Sequence, residues 1–162
     1  MLQEEILRCI SKNARMTTED LAAMLDSTPD EVEKSINSME ESGIICGYPA
    51  LINWEKTDNE IVTALIEVKV TPQRGRGFDK VAERIYQFDE VASVYLMSGG
   101  FDLTVMIEGK SMKEVARFVT TKLSPMESIM STATYFVLKK YKEHGLPLVK
   151  EANEDERMLI AP

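Results

Sequence analysis

The sequence predicts an α+β chain in two parts: an N-terminal (winged) helix-turn-helix, then a ferredoxin-like βαββαβ domain. Three observations carry this. Three amphipathic helical segments precede Gly43, and the second and third are separated by three residues between Leu25 and Pro29. From Glu60 onward the pattern becomes strand, helix, strand, strand, helix, strand. Of 162 residues 44% are hydrophobic and 28% charged, which suits a folded globular chain able to bury a sizeable core.

The first helix is read over Leu2 to Ser11, where Leu2, Ile6, Cys9 and Ile10 make one apolar stripe and Asn13-Ala14 ends it. Thr17-Thr18-Glu19-Asp20 supplies an N-cap and first-turn acids for a second helix through Leu25, with Leu21, Ala22 and Leu25 facing inward. Asp26 suits the left-handed conformation a tight turn needs. In Thr28-Pro29-Asp30-Glu31 the threonine caps, the proline takes the first helical position and Glu31 completes a capping box. The third helix buries Val32, Ile36 and Met39 and closes at Gly43. This spacing is that of a helix-turn-helix, although a three-helix interaction domain has the same packing needs.

Ile44 to Pro49 is a short apolar, strand-like run, and 54–59 is polar, so a hinge is placed over 49–60 between a first domain of 1–48 and a second of 61–142, with a tail at 143–162. Ile61 to Val70 alternates and is rich in β-branched residues; Thr71-Pro72 stops it. Phe78, Val81, Ala82 and Ile85 then recur at helical spacing. Val91 to Met97 and Phe101 to Ile107 flank Gly99-Gly100, which reads as a two-residue type I′ hairpin requiring positive φ at both glycines. Ser111 to Glu114 is a further capping box, opening a helix through Leu123, and Ile129 to Leu138 is the last strand. In the tail, the acidic stretch 151–156 leads into Arg157, a charge partner, and the apolar residues 158–162, and the segment 157–162 is expected to dock on a sheet edge or a neighbouring subunit.

Composition removes several function classes. Nineteen Lys and Arg against 27 Asp and Glu leave a net charge of −8, which disfavours a generally basic nucleic-acid or membrane binder. Cys9 and Cys46 form no CxxC pair, one histidine (His144) cannot build a Cys/His centre, and no apolar run approaches a membrane span. No leader precedes the first helix, so a reducing, cytoplasmic setting is expected, with no metal, cofactor or membrane. Arg74-Gly75-Arg76-Gly77 lacks Walker spacing and reads as a solvated loop, and no catalytic constellation can be assembled, so an enzyme is not expected.

Specific residues resemble the Lrp/AsnC family of transcription regulators. They are Glu5-Ile6-Leu7, Ala14-Arg15, Asp20-Leu21-Ala22 and the run from Glu40 to Tyr48 in the first part, and Phe88-Asp89-Glu90-Val91 and Ser98 to Leu103 in the second. The resemblance spans about Met1 to Tyr141 and includes the order of both domains. It implies DNA binding, an amino-acid effector, and a homodimer that assembles to an octamer. Physically, a four-stranded sheet with helices on one face leaves the other open, and Ile61, Leu65, Tyr135 and Val137 make part of that face apolar enough to pair with a second copy.

On the third helix, Thr28, Lys34, Ser35, Asn37 and Ser38 are the hydrogen-bonding candidates for DNA. Ser35 stands where relatives usually carry arginine, and the helix has one base against five acids. Over Met1 to Glu55 four bases face eleven acids. Phosphate contacts dominate DNA affinity, so the expected binding is weak and dependent on avidity. The alternative is a ligand-sensing or hetero-oligomerising relative with little DNA affinity of its own. For the effector, Ser98, Gly99 and Gly100 offer backbone amides to a carboxylate, Asp102 can accept from an ammonium group, and Thr132 and Thr134 resemble the family's T-x-T and add hydroxyls.

Overall fold

The computed structural model describes residues 2–71 and 77–149, in two units that divide between Ala50 and Leu51. The expected solvated loop at 74–76 and the tail at 150–162 lie outside the described residues.

In the first unit, α1 (Leu2–Ile10), α2 (Thr18–Met24) and α3 (Pro29–Glu41) pack around Ile6, Leu21, Ala22, Val32 and Met39, the positions that share the inward stripes. The starts of α2 and α3 are chemically specified. Thr17 Oγ1 accepts from the Asp20 N–H at 3.1 Å while the Asp20 carboxylate accepts from the Thr17 N–H at 3.3 Å. At α3 the same reciprocal box joins Thr28 and Glu31, and the Ser27 hydroxyl adds a further donor to the Glu31 carboxylate at 2.9 Å. Such a cap is worth about 1 kcal/mol. Between α2 and α3, Asp26 adopts φ 50°, the left-handed turn expected of it. Past α3, Gly43 has φ 73°, and the Ile44 and Ile45 N–H groups both donate to the Met39 carbonyl, which ends the helix.

In the second unit, β1 (Val62–Val70), β2 (Val91–Leu96), β3 (Leu103–Gly109) and β4 (Ile129–Phe136) form an antiparallel sheet in the order β2-β3-β1-β4. That is the βαββαβ arrangement, with α4 (Gly77–Tyr86) after β1 and α5 (Met112–Phe118) after β3. Ala64, Ile66, Val68 and Val70 of β1 join Leu103, Val105 and Ile107 of β3 beneath Val81, Ile85, Val115 and Phe118 of the helices. Alternate residues project to the other face. There Leu65 stands opposite Tyr135 on one side and Met106 on the other, and the Tyr135 hydroxyl donates to Glu67 at 3.3 Å. Leu65 and Tyr135 therefore contribute to the open face as expected.

Four expectations change. The apolar run at 44–49 is not a strand, because a strand needs a paired edge and no other strand lies in residues 2–50 of the described chain. The last helix is shorter than the capping box and periodicity suggest: α5 ends at Phe118 and a wider π-type turn follows over Val119–Leu123, where Thr120 and Thr121 hydroxyls donate back to the Ala116 and Arg117 carbonyls. Gly99-Gly100 is not a two-residue turn. The ladder continues past Leu96↔Leu103 to a Met97 N–H bond with the Asp102 carbonyl at 2.8 Å, so Ser98 to Phe101 form a four-residue loop. Gly99 has φ 158°, near extended, and Gly100 has no positive φ. Two consecutive positive φ values fall instead at His144 (48°) and Gly145 (81°), between β5 (Lys142–Glu143) and β6 (Leu146–Pro147). This small hairpin lies where only a tail was expected.

Asp102 holds the end of the sheet together. Its N–H donates to the Val68 carbonyl at 3.0 Å and its carboxylate accepts from the Val70 N–H at 2.8 Å, so it supplies β1 with a ladder partner where β3 has already turned away. Replacing Asp102 with Ala leaves the Val70 amide, on a residue 3% exposed, without that acceptor. The expected cost in denaturant unfolding is about 1–3 kcal/mol. Asp102→Asn keeps an acceptor oxygen and should cost clearly less; equal losses for the two variants would show that the bond does not matter.

Hydrogen bonds from the Ser27 hydroxyl, the Thr28 N–H and the Thr28 hydroxyl hold the Glu31 carboxyl below the usual carboxylate range. A folded value lower than the unfolded one gives stability that is present above the unfolded pKa and lost as pH falls through the folded one. Amide exchange in the first turn of α3 should therefore accelerate as pH is lowered through the acid range, after correction for intrinsic exchange rates. Glu31→Gln should remove that dependence, and a Gln variant with an unchanged pH profile would refute the assignment.

Candidate DNA-contacting helix and effector loop

The turn between α2 and α3 is built from the Ser27 N–H bond to the Ala22 carbonyl at 3.0 Å and the left-handed Asp26, which together bring the capped start of α3 directly after α2. Val32 and Met39 are buried and Ile36 half-buried, so the opposite side of α3 faces solvent. At 3.6 residues per turn Lys34 and Asn37 lie on that outward side, with Ser38 beside them, and all three are exposed. Ser35 turns toward the packed side and is half-buried. Thr28 is exposed, yet its hydroxyl is committed to the capping box, accepting from the Glu31 N–H at 3.3 Å and facing the Glu31 carboxylate at 3.0 Å. The five candidates thus divide into an outward group of Lys34, Asn37 and Ser38 and two residues with structural duties.

The outward group is bordered by acid. Asp30 and Glu41 fall on the same side as Lys34 and Asn37, one turn before and one turn after. At the helix start, where amides and the dipole favour an anion, the Glu31 carboxylate already accepts from the Thr28 N–H at 3.2 Å. At the far end the Tyr48 hydroxyl donates to Glu40 at 2.7 Å, and the carboxylate beside it holds the Tyr48 phenol above its ordinary range. This link between the segment after α3 and the last turn of the helix escaped sequence reasoning, since the partners are eight positions apart and the chain between them leaves the helix at Glu41.

In the second unit the loop Ser98 to Phe101 presents Ser98, Gly99 and Gly100 to solvent, and a Cβ added at either glycine meets nothing within 4 Å. A small molecule can therefore reach the loop amides. Asp102 is half-buried at the loop's base, with one carboxylate oxygen given to Val70. Thr132 pairs with Val68 across the other edge of β1, so Asp102 and Thr132 flank the same β1 residue from opposite sides. The Thr132 hydroxyl lies 3.4 Å from that of Ser124. Thr134 pairs with Ile66, one step farther from the loop. Both threonines are half-buried and share the strand parity of Phe136, on the helix-covered side. The fold gathers Asp102 and Thr132 at one end of the sheet near the glycine loop and sets Thr134 back from it. Sequence spacing could not reveal the Val70 bond, which joins residues 32 positions apart.

Among the described residues no group of His, Cys, Asp or Glu is arranged to hold a metal ion, and no helix is long and apolar enough to cross a membrane. Comparison with known proteins covers both units. A winged helix-turn-helix DNA-binding family matches residues 2–45, and the Lrp/AsnC ligand binding domain matches residues 63–147. The uncharacterized HTH-type transcriptional regulator YugG of Bacillus subtilis is 49% identical over 161 residues, covering 99% of this chain and 96% of that protein. The leucine-responsive regulatory protein of Haemophilus influenzae is 26% identical, covering 90% of this chain and 87% of its own. Among solved structures, the NMB0573/L-Met complex from Neisseria meningitidis shares the fold with a TM-score of 0.70 at 24% identity, covering 91% of this chain and 95% of that one. E. coli AsnC shares it with a TM-score of 0.66 at 20% identity, over 88% and 93% of the two chains. With both domains matched in this order, and a relative 49% identical along almost its whole length, the chain belongs to the Lrp/AsnC family of helix-turn-helix transcriptional regulators.

Proposed function

We propose that this regulator contacts DNA through the outward side of α3, using Lys34, Asn37 and Ser38, and responds to a small zwitterionic amino acid held at the loop Ser98 to Asp102. The observation that supports this most is the amide-rich loop, open above its glycines, beside a carboxylate that keeps one oxygen free of the Val70 bond. An α-amino acid carries the two charges that match: its carboxylate suits the loop amides and its ammonium group suits Asp102. Thr132 adds a hydroxyl at the same end of the sheet. The leucine-responsive name of one relative and the L-Met bound by a fold neighbour direct the search toward amino acids.

DNA binding by this reading is weak for one copy and becomes useful by assembly. Homodimers covering the open sheet face, associating up to an octamer, bring several acidic reading heads to one duplex, and small phosphate terms then add. The acidity of α3 also supports a second reading, in which the protein senses its ligand or joins other family members and has little DNA affinity of its own.

Two measurements decide between these. In a genomic-fragment selection at low salt, the assembled protein should retain DNA whose affinity falls steeply as salt rises. Lys34→Ala should weaken retention of every fragment, and Ser35→Arg should raise nonspecific affinity; retention indifferent to both variants would support the second reading. For the effector, calorimetry against the twenty amino acids should find a ligand at or below millimolar concentration. Asp102→Asn preserves the acceptor for Val70 and removes the charge, so it should lose about 1.5–3 kcal/mol of binding. A ligand bound equally by both proteins would remove Asp102 from the site.

A further inference from the structure

A groove of about 560 Å³ opens in the second unit, away from the loop at Ser98 to Asp102. Its walls are the segment from Ile52 to Thr63, Met112 at the start of α5, and Val137 to Lys140 after β4. The lining mixes apolar and polar residues, and several of its apolar members are bare: Leu138 is 89% exposed, Met112 54% and Ile52 44%. Four charged residues, Glu55, Glu60, Lys139 and Lys140, also line it. Lys140 is paired with Glu108 and Glu143, whereas among the described residues no carboxylate pairs with Lys139.

The chain itself runs to this groove. Leu148 is part of its wall and is anchored there twice, its carbonyl accepting from the Asn53 side-chain amide and its N–H donating to the Tyr141 carbonyl, both at 2.9 Å. The described residues end one position later, at Val149. The sequence then continues with the acids Glu151, Glu154, Asp155 and Glu156, followed by Arg157 and the apolar run Met158-Leu159-Ile160. Counted from the Leu148 anchor in the groove wall, the eight residues 149–156 can extend to roughly 26 Å. We propose that residues 157–162 seat in this groove of the same chain. The acids before them suit Lys139, Arg157 suits Glu55 and Glu60, and the apolar run covers Ile52 and Leu138. Because the spacer is short, the effective concentration is high and a modest apolar contact suffices.

Trp54, the only tryptophan in the chain, lies in the groove wall and reports occupancy without a label. The full chain is compared with a version ending at Glu156 and with Leu159→Asp and Leu138→Asp, the last placed on an exposed side chain so that folding is kept, with circular dichroism as the check. Docking predicts that each change moves Trp54 emission to the red and increases acrylamide quenching at unchanged sedimentation mass. A synthetic peptide of residues 150–162, added to the shortened chain, should restore the original emission, and the Leu159→Asp peptide should not. Trp54 emission and quenching indifferent to all three changes would overturn the proposal. So would an emission change that follows a change in mass, since a second copy would then be the occupant. None of these readouts involves DNA or an effector, and because Ile61 and Val137 of the groove wall also belong to the face assigned to a second copy, the sedimentation mass separates docking of the tail from loss of that pairing.

Discussion

The register of β1 is the constraint on which the second unit depends. This strand is paired along both edges, and its even-numbered residues from Ala64 to Val70 belong to the core while Leu65, Glu67 and Lys69 do not. A slip of one residue would carry Glu67 and Lys69 beneath the helices and expose Ile66 and Val68. The Asp102 bonds to Val68 and Val70 act at the end of the strand where β3 departs and where β1 itself shifts register against β4. The side chain that holds this end of the sheet is thus the one proposed to face the ligand. A carboxylate with one oxygen held by backbone is oriented for a second partner, because its rotation is already restrained.

In the first unit the corresponding constraint is electrostatic. A recognition helix ordinarily offers its N-terminal amides to a phosphate. Here Glu31 supplies the anion from within the chain, reinforced by Ser27 and Thr28. The cap that makes α3 a well-defined helix therefore also places a negative charge at its start. Glu40 at the other end is tied to Tyr48, so two of the acidic side chains on α3, Glu31 and Glu40, have structural partners.

The helices of the first unit were legible because their signals are local. Thr17 with Asp20, Thr28 with Glu31, Pro29 and Gly43 act within three or four residues, and the apolar stripes share that range. Strand order in the second unit was legible because strand, helix, strand, repeated with a central hairpin, leaves few right-handed solutions. Local signals also misled. Gly99-Gly100 between two apolar runs is a strong turn signature, yet the same residues serve a four-residue loop once Met97 and Asp102 pair. The β-branched residues Ile44 and Ile45 resemble a strand, but the nearest ladder partner must come from elsewhere in space.

The sequence by itself determined two domains, their order, the caps and turns of the helix-turn-helix, the βαββαβ succession, the acidity of the reading head and the family. Tertiary structure alone decided that Asp102 bonds Val70, that Ser35 faces inward while Lys34 and Asn37 face outward with acid beside them, that Thr134 is set back from the glycine loop, and that Leu148 and Trp54 share a groove. The physical reason is range. Caps, turns and periodicity act across neighbouring residues and are written in composition and spacing, whereas these contacts depend on which strands become neighbours and where each ladder ends, and that is settled only when the whole sheet closes on its core.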